Sequence, residues 1–590
     1  MTNRHWLLVV DNLEDVDILA MHNFHALAGE GRGQVIITTR IQTYANQITW
    51  GANVIVLDSP AEEEMVGLLI ARLGSDRERE LLFELVRAFD CLPLAVTQAA
   101  TYIRTRNMSV SRYLSLYKES TSNRIKLLDH AGYSNTENSV CKTVELSVNH
   151  VRMNSLQAFE LLALISLFDR KGIPDYLLLL YFDNDDLAFE DAAEILVTCS
   201  LVTRSGGFNM HGLVQAVIVH HLQVSGELTQ WMEKSVELMN SAFPVPRHEN
   251  WMACASLLPH AKAVLQHRLQ DSSHQAIRAN ILFKVGEYQY SQGNYAVAEV
   301  DLKGAISVKD VISGPENPDT LSCMSLLGLV LTRGGKYLEA EKITSLVLER
   351  QVKVLGKEHQ DTLISMNNLA ILLNNQGKYS ESENVYRQTL LLMNKTLGEM
   401  HPDTLRLMDG FAGILVTQGK YTEAGHICEE ALASIGRILG NDHPDELQSM
   451  HTLSRVRQGQ GRYSEAEPLF RQTLALRENI LGKEHPETLR SMNSLAGILQ
   501  RQGKYNEADA ICRQTLALRE KVLGEEHPDT LQSMHNIATL LGDNGHYNEA
   551  EEMYSQTIAI MVKILGNDHP GTLRCERAKN KLLQSRRKRR

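Results

Sequence analysis

Apolar positions in the second half of the chain follow the helical spacing i, i+3, i+4, i+7, in blocks that return every 42 residues. A first block, TLxSMxxLAxxLxxQ, runs up to a glycine, which can adopt the left-handed conformation that ends a helix. A second block, such as YSEAEPLFRQTLALRENIL, ends at Leu-Gly. The pattern predicts one helical hairpin per repeat, and its apolar face is buried only when neighbouring hairpins stack.

Two residue series mark the period. Each first block follows a segment such as EHPDTL, in which proline suits the first helical position and Asp or Thr can cap the helix. The histidines of these segments are His359, His401, His443, His485, His527 and His569, and Asn317 extends the series by one unit. The Gly-x-Tyr turns contain Tyr295, Tyr337, Tyr379, Tyr421, Tyr463, Tyr505 and Tyr547. We predict about seven repeats over residues 280–580, followed by a basic tail at 581–590.

This pattern resembles the tetratricopeptide repeat in its 42-residue form, as in kinesin light chain. The resemblance implies a right-handed α-solenoid whose concave face binds a protein or peptide. In such arrays the first helix of each repeat lines the groove. Groove candidates on one position of that helix are Asn367, Asp409, His451, Asn493 and His535, and a second row holds Arg406, Gln448, Arg490 and Gln532. A plain solvated face is the alternative.

Two other series predict architecture. The six histidines lie a full repeat apart, which is too far for them to share one metal ion. One position of the second helix alternates aromatic and thiol side chains, as buried packing positions do. Its members are Tyr386, Cys428, Phe470, Cys512 and Tyr554.

The first half begins with two predicted strands. Leu7 to Val10 run into Asp11, as in a buried parallel strand that delivers a carboxylate to a Mg²⁺-phosphate site. GQVIITTR, at 33–40, ends in Arg40, and the spacing fits a strand, crossover helix, strand unit. Arg40 could reach a terminal phosphate or form an ordinary surface pair.

Two later segments carry further motifs. In CLPLA, Pro93 forces a helix to restart. Residues 195–222 predict a helix, a hairpin with its turn at Gly206-Gly207, and a helix opened by Met210-His211-Gly212, which is a winged-helix outline. Because this segment has few basic residues, the sequence argues against DNA binding.

Taken in order, LLVVDN, VIITTR, CLPLA and MHGLVQ resemble the NB-ARC module of STAND-class signalling ATPases, most closely its fungal, NLR-like relatives followed by tetratricopeptide repeats. The resemblance implies that Asp11 ligates Mg²⁺, Arg40 senses the γ-phosphate, Pro93 packs against adenine and His211 holds the β-phosphate of ADP. The predicted fold is mostly α, with a partial α/β nucleotide-binding part at 1–58, a helical subdomain at 59–140, a winged-helix-like subdomain at 141–225 and a helical linker at 226–279.

The chain departs from this family at three places. The phosphate-binding loop G-x-x-x-x-G-K-[ST] is absent from the sequence, Asn12 stands where many relatives have a second acid, and Gly212 replaces an aspartate. We therefore predict no substantial ATPase activity. Either the protein begins at Met1 or its true start lies upstream and carries the loop; the exposed edge of a truncated sheet favours the second explanation.

Composition narrows the function further. A net charge of −11 and a pI near 6.1 argue against binding to nucleic acid or an anionic membrane. The eight cysteines are scattered and no apolar run is long enough to span a bilayer, so we expect a cytoplasmic protein. The predicted function is a signalling switch with an incomplete ADP/ATP site, Mg²⁺ and a protein-binding repeat region. The alternative is a scaffold or cargo adaptor with a vestigial nucleotide domain. Self-association stays open.

Overall fold

The computed structural model describes residues 6–10, 33–38, 60–74, 78–119, 127, 140–440 and 443–589. The chain divides into two compact units, the first made of residues 1–244 and 252–277 and the second of 245–251 and 278–590. In the first unit, strands β1 (Trp6–Val10) and β2 (Gly33–Ile37) pair in parallel, with Trp6 opposite Gly33. This pairing agrees with the two predicted strands.

Helices of the first unit pack around an apolar cluster. In this cluster Phe89 packs edge-on against Tyr117, with ring centroids 5.0 Å apart. The helices up to the second unit are α1 (Glu62–Leu73), α2 (Arg79–Ala88), α3 (Pro93–Thr105), α4 (Val110–Glu119), α5 (Val140–Asn154), α6 (Leu156–Ile165), α7 (Asp175–Leu179), α8 (Asp186–Thr198), α9 (Gly212–Val224), α10 (Leu228–Ala242) and α11 (Trp251–Val264).

A short hairpin precedes α9. Strands β3 (Val202–Arg204) and β4 (Phe208–Met210) pair antiparallel, and both glycines of the turn have positive φ. A side chain at Gly207 is excluded, because its Cβ would lie 2.9 Å from the carbonyl oxygen of Ile173. The predicted hairpin followed by a helix is confirmed.

The second unit is an array of helical hairpins. Within each repeat the first helix packs on the second, and the predicted packing series at Tyr386 is buried throughout. Its helices are α12 (Ser272–Ser291), α13 (Tyr295–Ser313), α14 (Pro318–Arg333), α15 (Tyr337–Val354), α16 (Gln360–Asn375), α17 (Tyr379–Thr396), α18 (Pro402–Thr417), α19 (Tyr421–Leu439), α20 (Pro444–Gly459), α21 (Tyr463–Ile480), α22 (Pro486–Arg501), α23 (Tyr505–Leu523), α24 (Pro528–Asp543), α25 (Tyr547–Leu565) and α26 (Pro570–Arg589). The last helix includes most of the predicted basic tail.

The repeated histidines cap the first helices. In each segment Nδ1 accepts the backbone N–H two residues later, as from Asp361 to His359 at 3.2 Å, and Asn317 caps α14 through its side-chain oxygen in the same way. The expectation that Asp or Thr supplies the cap was wrong. Thr362 instead donates from Oγ1 to the carbonyl oxygen of Gly356, at 2.8 Å, and so ties the helix to the preceding turn.

Three of these histidines also join distant repeats. Nε2 of His485, His527 and His569 lies 3.1, 2.9 and 2.9 Å from the carbonyl oxygens of Ser291, Arg333 and Asn375, each 194 residues earlier. Because Nδ1 accepts the capping bond, the neutral ring has its proton on Nε2 and donates it to the carbonyl. Successive coils of this superhelix are therefore in direct contact.

Candidate functional site

His211 lies at the start of α9, where it joins this helix to the loop between α2 and α3. Its Nδ1 accepts the N–H of Leu213 at 3.1 Å, and its Nε2 lies 3.0 Å from the carbonyl oxygen of Phe89. Pro93, four residues beyond Phe89, is the exposed first residue of α3. Asp11 and Arg40, the other two predicted nucleotide ligands, lie outside the residues that the structure describes.

Asp90 organises the surroundings of His211. Its carboxylate accepts from the Arg170 guanidinium and, at 3.3 Å, from the backbone N–H of Gly212. Burial opposes ionisation of Asp90, but the hydrogen bond and charge of Arg170 prevail and lower its pKa. Burial also lowers the pKa of His211, against the attraction of Asp90, and so favours the neutral ring.

The described residues do not form a cradle for ADP. Both ring nitrogens of His211 already bond to backbone groups, so the ring can meet a phosphate only by giving up the carbonyl oxygen of Phe89. The carboxylate of Asp90, beside the N–H of Gly212, would also repel a phosphate there. This geometry and the missing phosphate-binding loop do not fit a nucleotide in this conformation.

The first predicted groove row is partly interior. Asp409, His451 and His535 are buried, whereas Asn367 and Asn493 are half-buried. The rings of His451 and His535 pack edge-on against Phe470 and Tyr554, with centroids 5.5 and 5.7 Å apart. The expectation of a groove-facing row was therefore wrong for the three buried members, because an aromatic ring or a neighbouring helix covers them.

The second predicted row forms a ladder along successive first helices. The side-chain oxygen of Gln448 accepts from Arg490, one repeat later, and that of Gln532 accepts from Arg574. Arg406 is exposed and donates to Asp403 at 2.6 Å. Arginine and glutamine thus alternate at 42-residue spacing from Arg406 to Arg574. Within the described structure, Nε of Arg490 is buried and has no hydrogen-bond partner.

Two buried arginines support this ladder, and our sequence reasoning missed them. Arg477, with 1 % of its side chain exposed, donates to Gln448 Oε1 at 2.9 Å and to Ser491 Oγ at 2.8 Å. Arg519 occupies the same position one repeat later and donates to Ser533. The sequence does contain a signal for them. The equivalent position holds an apolar residue in other repeats, Met393, Ile435 and Met561, and arginine in these two.

Glu487 is the charge partner of this group. Burial opposes its ionisation, but Arg490, Arg477 and Arg333 outweigh burial and hold the pKa of Glu487 at about 2. In the first row, burial raises the pKa of Asp409, although Gln448 and its neighbours oppose the shift. The described part of this face therefore combines buried charges with exposed or half-buried ladder side chains.

The described part of the chain has neither a metal-binding cluster nor a membrane-spanning helix. No group of three or more His, Cys, Asp or Glu side chains there is placed to hold a metal ion. None of its helices combines the length and the apolar composition needed to cross a bilayer.

Comparison with known proteins identifies the repeats. The tetratricopeptide-repeat model matches residues 326–395, 361–424, 403–479, 456–508 and 487–561. A nucleotide-binding leucine-rich repeat (NLR)-like protein of Hyaloscypha variabilis is 33% identical over 352 residues, which are 55% of this chain and 35% of that protein. The chain thus spans about a third of the length of this relative.

Two solved structures are also similar. One contains the nearly identical TPR-like repeats of a putative kinesin light chain from Podospora anserina, with 32% identity, a TM-score of 0.28, and coverage of 34% of this chain and 95% of that one. The other is a STAND protein with a tetratricopeptide-repeat sensor from Pyrococcus horikoshii, with 13% identity, a TM-score of 0.38, and coverage of 95% and 82%.

Proposed function

We propose that this NLR-like protein with a carboxyl-terminal tetratricopeptide-repeat region is a signalling switch that recognises a protein or peptide ligand through the concave face of its repeats. The observation that carries the proposal is the ladder of Arg406, Gln448, Arg490, Gln532 and Arg574. Arg490 holds Gln448, and Arg574 holds Gln532, each from one repeat away, so these four side chains lose little conformational entropy on binding.

A ligand on this face acts as a signal only if it binds two states of the protein with different affinity. The contact of Arg490 with Gln448 links consecutive repeats. A ligand that binds the side chain of Arg490 or Gln448 in place of this contact therefore changes the packing of one repeat on the next. We further propose a cytoplasmic location, since the eight cysteines are scattered along the sequence without a C-x-x-C pair.

Selection from a peptide library displayed on phage tests this site. The full chain is the bait, and the chain with Arg490→Ala and Gln448→Ala is the matched counter-bait. We expect peptides that bind the full chain and lose at least tenfold in affinity for the variant. A change on a second helix, Arg513→Ala, is the control and should leave affinity unchanged, since the ion pair described for Arg513 is with Asp509 of its own helix. Enrichment of identical peptides by all three baits would overturn the proposal.

We also propose that this chain binds a nucleotide weakly. Asp11, Arg40, Pro93 and His211 would hold ADP or ATP with Mg²⁺, and His211 would first release the carbonyl oxygen of Phe89. A bound nucleotide would supply a state-dependent bridge between the segments that carry these residues. We propose weak binding and no efficient hydrolysis, because His211 must give up its bond to Phe89 and the carboxylate of Asp90 would repel a phosphate beside it.

A second candidate function is a scaffold or cargo adaptor with a vestigial nucleotide domain. The engagement of both His211 ring nitrogens by backbone groups favours it. Equilibrium binding of labelled ADP and ATP to the full chain separates the two candidates, with Arg40→Ala and His211→Ala as variants. Binding that both variants abolish supports the switch, and no binding by the full chain supports the adaptor. ATP turnover at the rate of an intact relative would contradict both.

A further inference from the structure

The contacts between coils have two complementary sides. One side is a His-Pro helix start, such as His527-Pro528. The other is the turn between the first and second helices of an earlier repeat, such as 333–335, which we call an acceptor turn. It presents a carbonyl oxygen that the end of a helix leaves without an intrahelical partner, and a glycine against which the proline packs. A Cβ on Gly335 would lie 2.6 Å from Cδ of Pro528.

Four later acceptor turns have the same backbone but no such neighbour. Their glycines are Gly419, Gly461, Gly503 and Gly545, with φ of 80°, 78°, 77° and 86°, against 77° at both Gly293 and Gly335. No atom of the described structure lies within 4 Å of a Cβ built on any of the four. Within the described structure these four turns, 42 residues apart, are therefore unused acceptor turns.

Unused donors occur in the earlier repeats. His359 and His401 cap their helices through Nδ1, as the contacting histidines do. Within the described structure their Nε2 atoms have no hydrogen-bond partner, and their side chains are 45% and 33% exposed. These two His-Pro-type starts, His359-Gln360 and His401-Pro402, are also one repeat apart.

We propose that the unused acceptor turns bind the His359 and His401 helix starts of a second copy of this chain. The contact continues the one already made three times within the molecule. Because donors and acceptor turns both repeat every 42 residues, seating one histidine brings the next onto the next turn. The two surfaces differ, so the contact is head-to-tail and each added copy presents fresh acceptor turns. The assembly grows without closing.

This inference does not depend on the peptide site or on nucleotide. Its test uses two full-length variants that keep the fold. His359→Asn with His401→Asn removes the donors and keeps the caps, since Asn317 caps α14 in this chain. Gly419→Asn, Gly461→Asn, Gly503→Asn and Gly545→Asn together block the acceptor turns, because asparagine tolerates positive φ while its side chain fills the space that the incoming helix start needs. Gly226→Asn, at φ 77° in the first unit and equally open, is the control.

Sedimentation velocity at increasing concentration gives the readout. We expect the weight-average mass of the wild type and of Gly226→Asn to rise steadily, and each of the two variants to stay monomeric. An equal mixture of the donor variant and the acceptor variant should form dimers that do not grow, since only one contact can form. A wild type that is monomeric up to its solubility limit, variants that assemble as the wild type does, or a mixture that stays monomeric would each overturn the proposal.

Discussion

Nε2 of His527 lies 2.9 Å from the carbonyl oxygen of Arg333, 194 residues earlier in the chain. The separation is about 4.6 repeats of 42 residues, so this one bond joins a repeat to the coil beneath it. The same ring accepts the N–H of Asp529 at its own helix start. One imidazole thus bonds a backbone N–H at the start of one helix and a backbone carbonyl oxygen at the end of another helix, in a different coil.

The two roles of His527 can be separated by substitution. His527→Asn keeps the cap and loses the bond to Arg333, so we expect it to lower the free energy of unfolding by about 0.5–1.5 kcal/mol. His527→Ala also loses the cap, at a further cost of about 0.5–2 kcal/mol. Urea denaturation measures both. At His359, which has only the cap, Asn should be nearly neutral, and a large loss there would contradict this division.

Contact between coils should make Gly335 more sensitive to substitution than the equivalent glycines of later repeats. Gly335→Ala and Gly503→Ala start from the same φ of 77°, and each incurs about 1–2 kcal/mol of left-handed strain. Only at Gly335 does the new methyl meet Pro528, so we expect an extra loss of about 1–3 kcal/mol there. Equal shifts in the urea midpoint would show that the coils do not touch in solution.

Acid should destabilise the repeat array through His535. Burial, with the charge of Arg574, lowers the pKa of His535 to about 4. The unfolded chain therefore binds the proton first, near pH 6.5, and stability is lost as pH falls from there toward 4. The loss from this residue is up to about 3 kcal/mol. His535→Asn, which introduces the residue found at 493, should flatten the pH dependence of the urea midpoint over this range.

Replacing the buried Arg477 and replacing its half-buried partner Glu487 should change stability by different amounts. Arg477→Met introduces the residue found at 393 and 561, so we expect a change of less than about 1.5 kcal/mol in either direction. Glu487→Gln leaves Arg477, Arg490 and Arg333 without their counter-charge and should cost about 3–5 kcal/mol. Thermal unfolding of both variants is the measurement. A more severe loss in Arg477→Met would contradict the expectation.

Introducing an aspartate at Gly212 should destabilise the first unit. A Cβ there would lie 3.4 Å from the carboxylate of Asp90 and 3.2 Å from Arg170. Two carboxylates would then compete for one guanidinium, so we expect Gly212→Asp to cost about 1–3 kcal/mol. Adding Asp90→Ala should recover part of that loss, as measured by thermal unfolding. A double variant that loses more stability than the two single variants lose together would argue against this competition.

Local signals predicted most of the fold. The 42-residue period defined the hairpins because each helix carries its own apolar stripe, and Gly206-Gly207 marked the hairpin turn before α9. The site was less accessible to sequence reasoning. Spacing alone gave the ladder at Gln448 and Arg490, but the burial of Asp409 depends on how neighbouring helices pack. The partner of His527 lies at a sequence distance that no local pattern encodes.

The contacts between coils also bear on how the second unit folds. In an ordinary repeat array every contact is between neighbours, so stability grows by nearly equal steps and the ends can unravel independently. Bonds across 194 residues raise the contact order, because the chain must close long loops before these bonds form. Removing the repeats from 486 onward would therefore weaken helices near 291, 333 and 375 as well. The array should melt as one cooperative block with slow refolding.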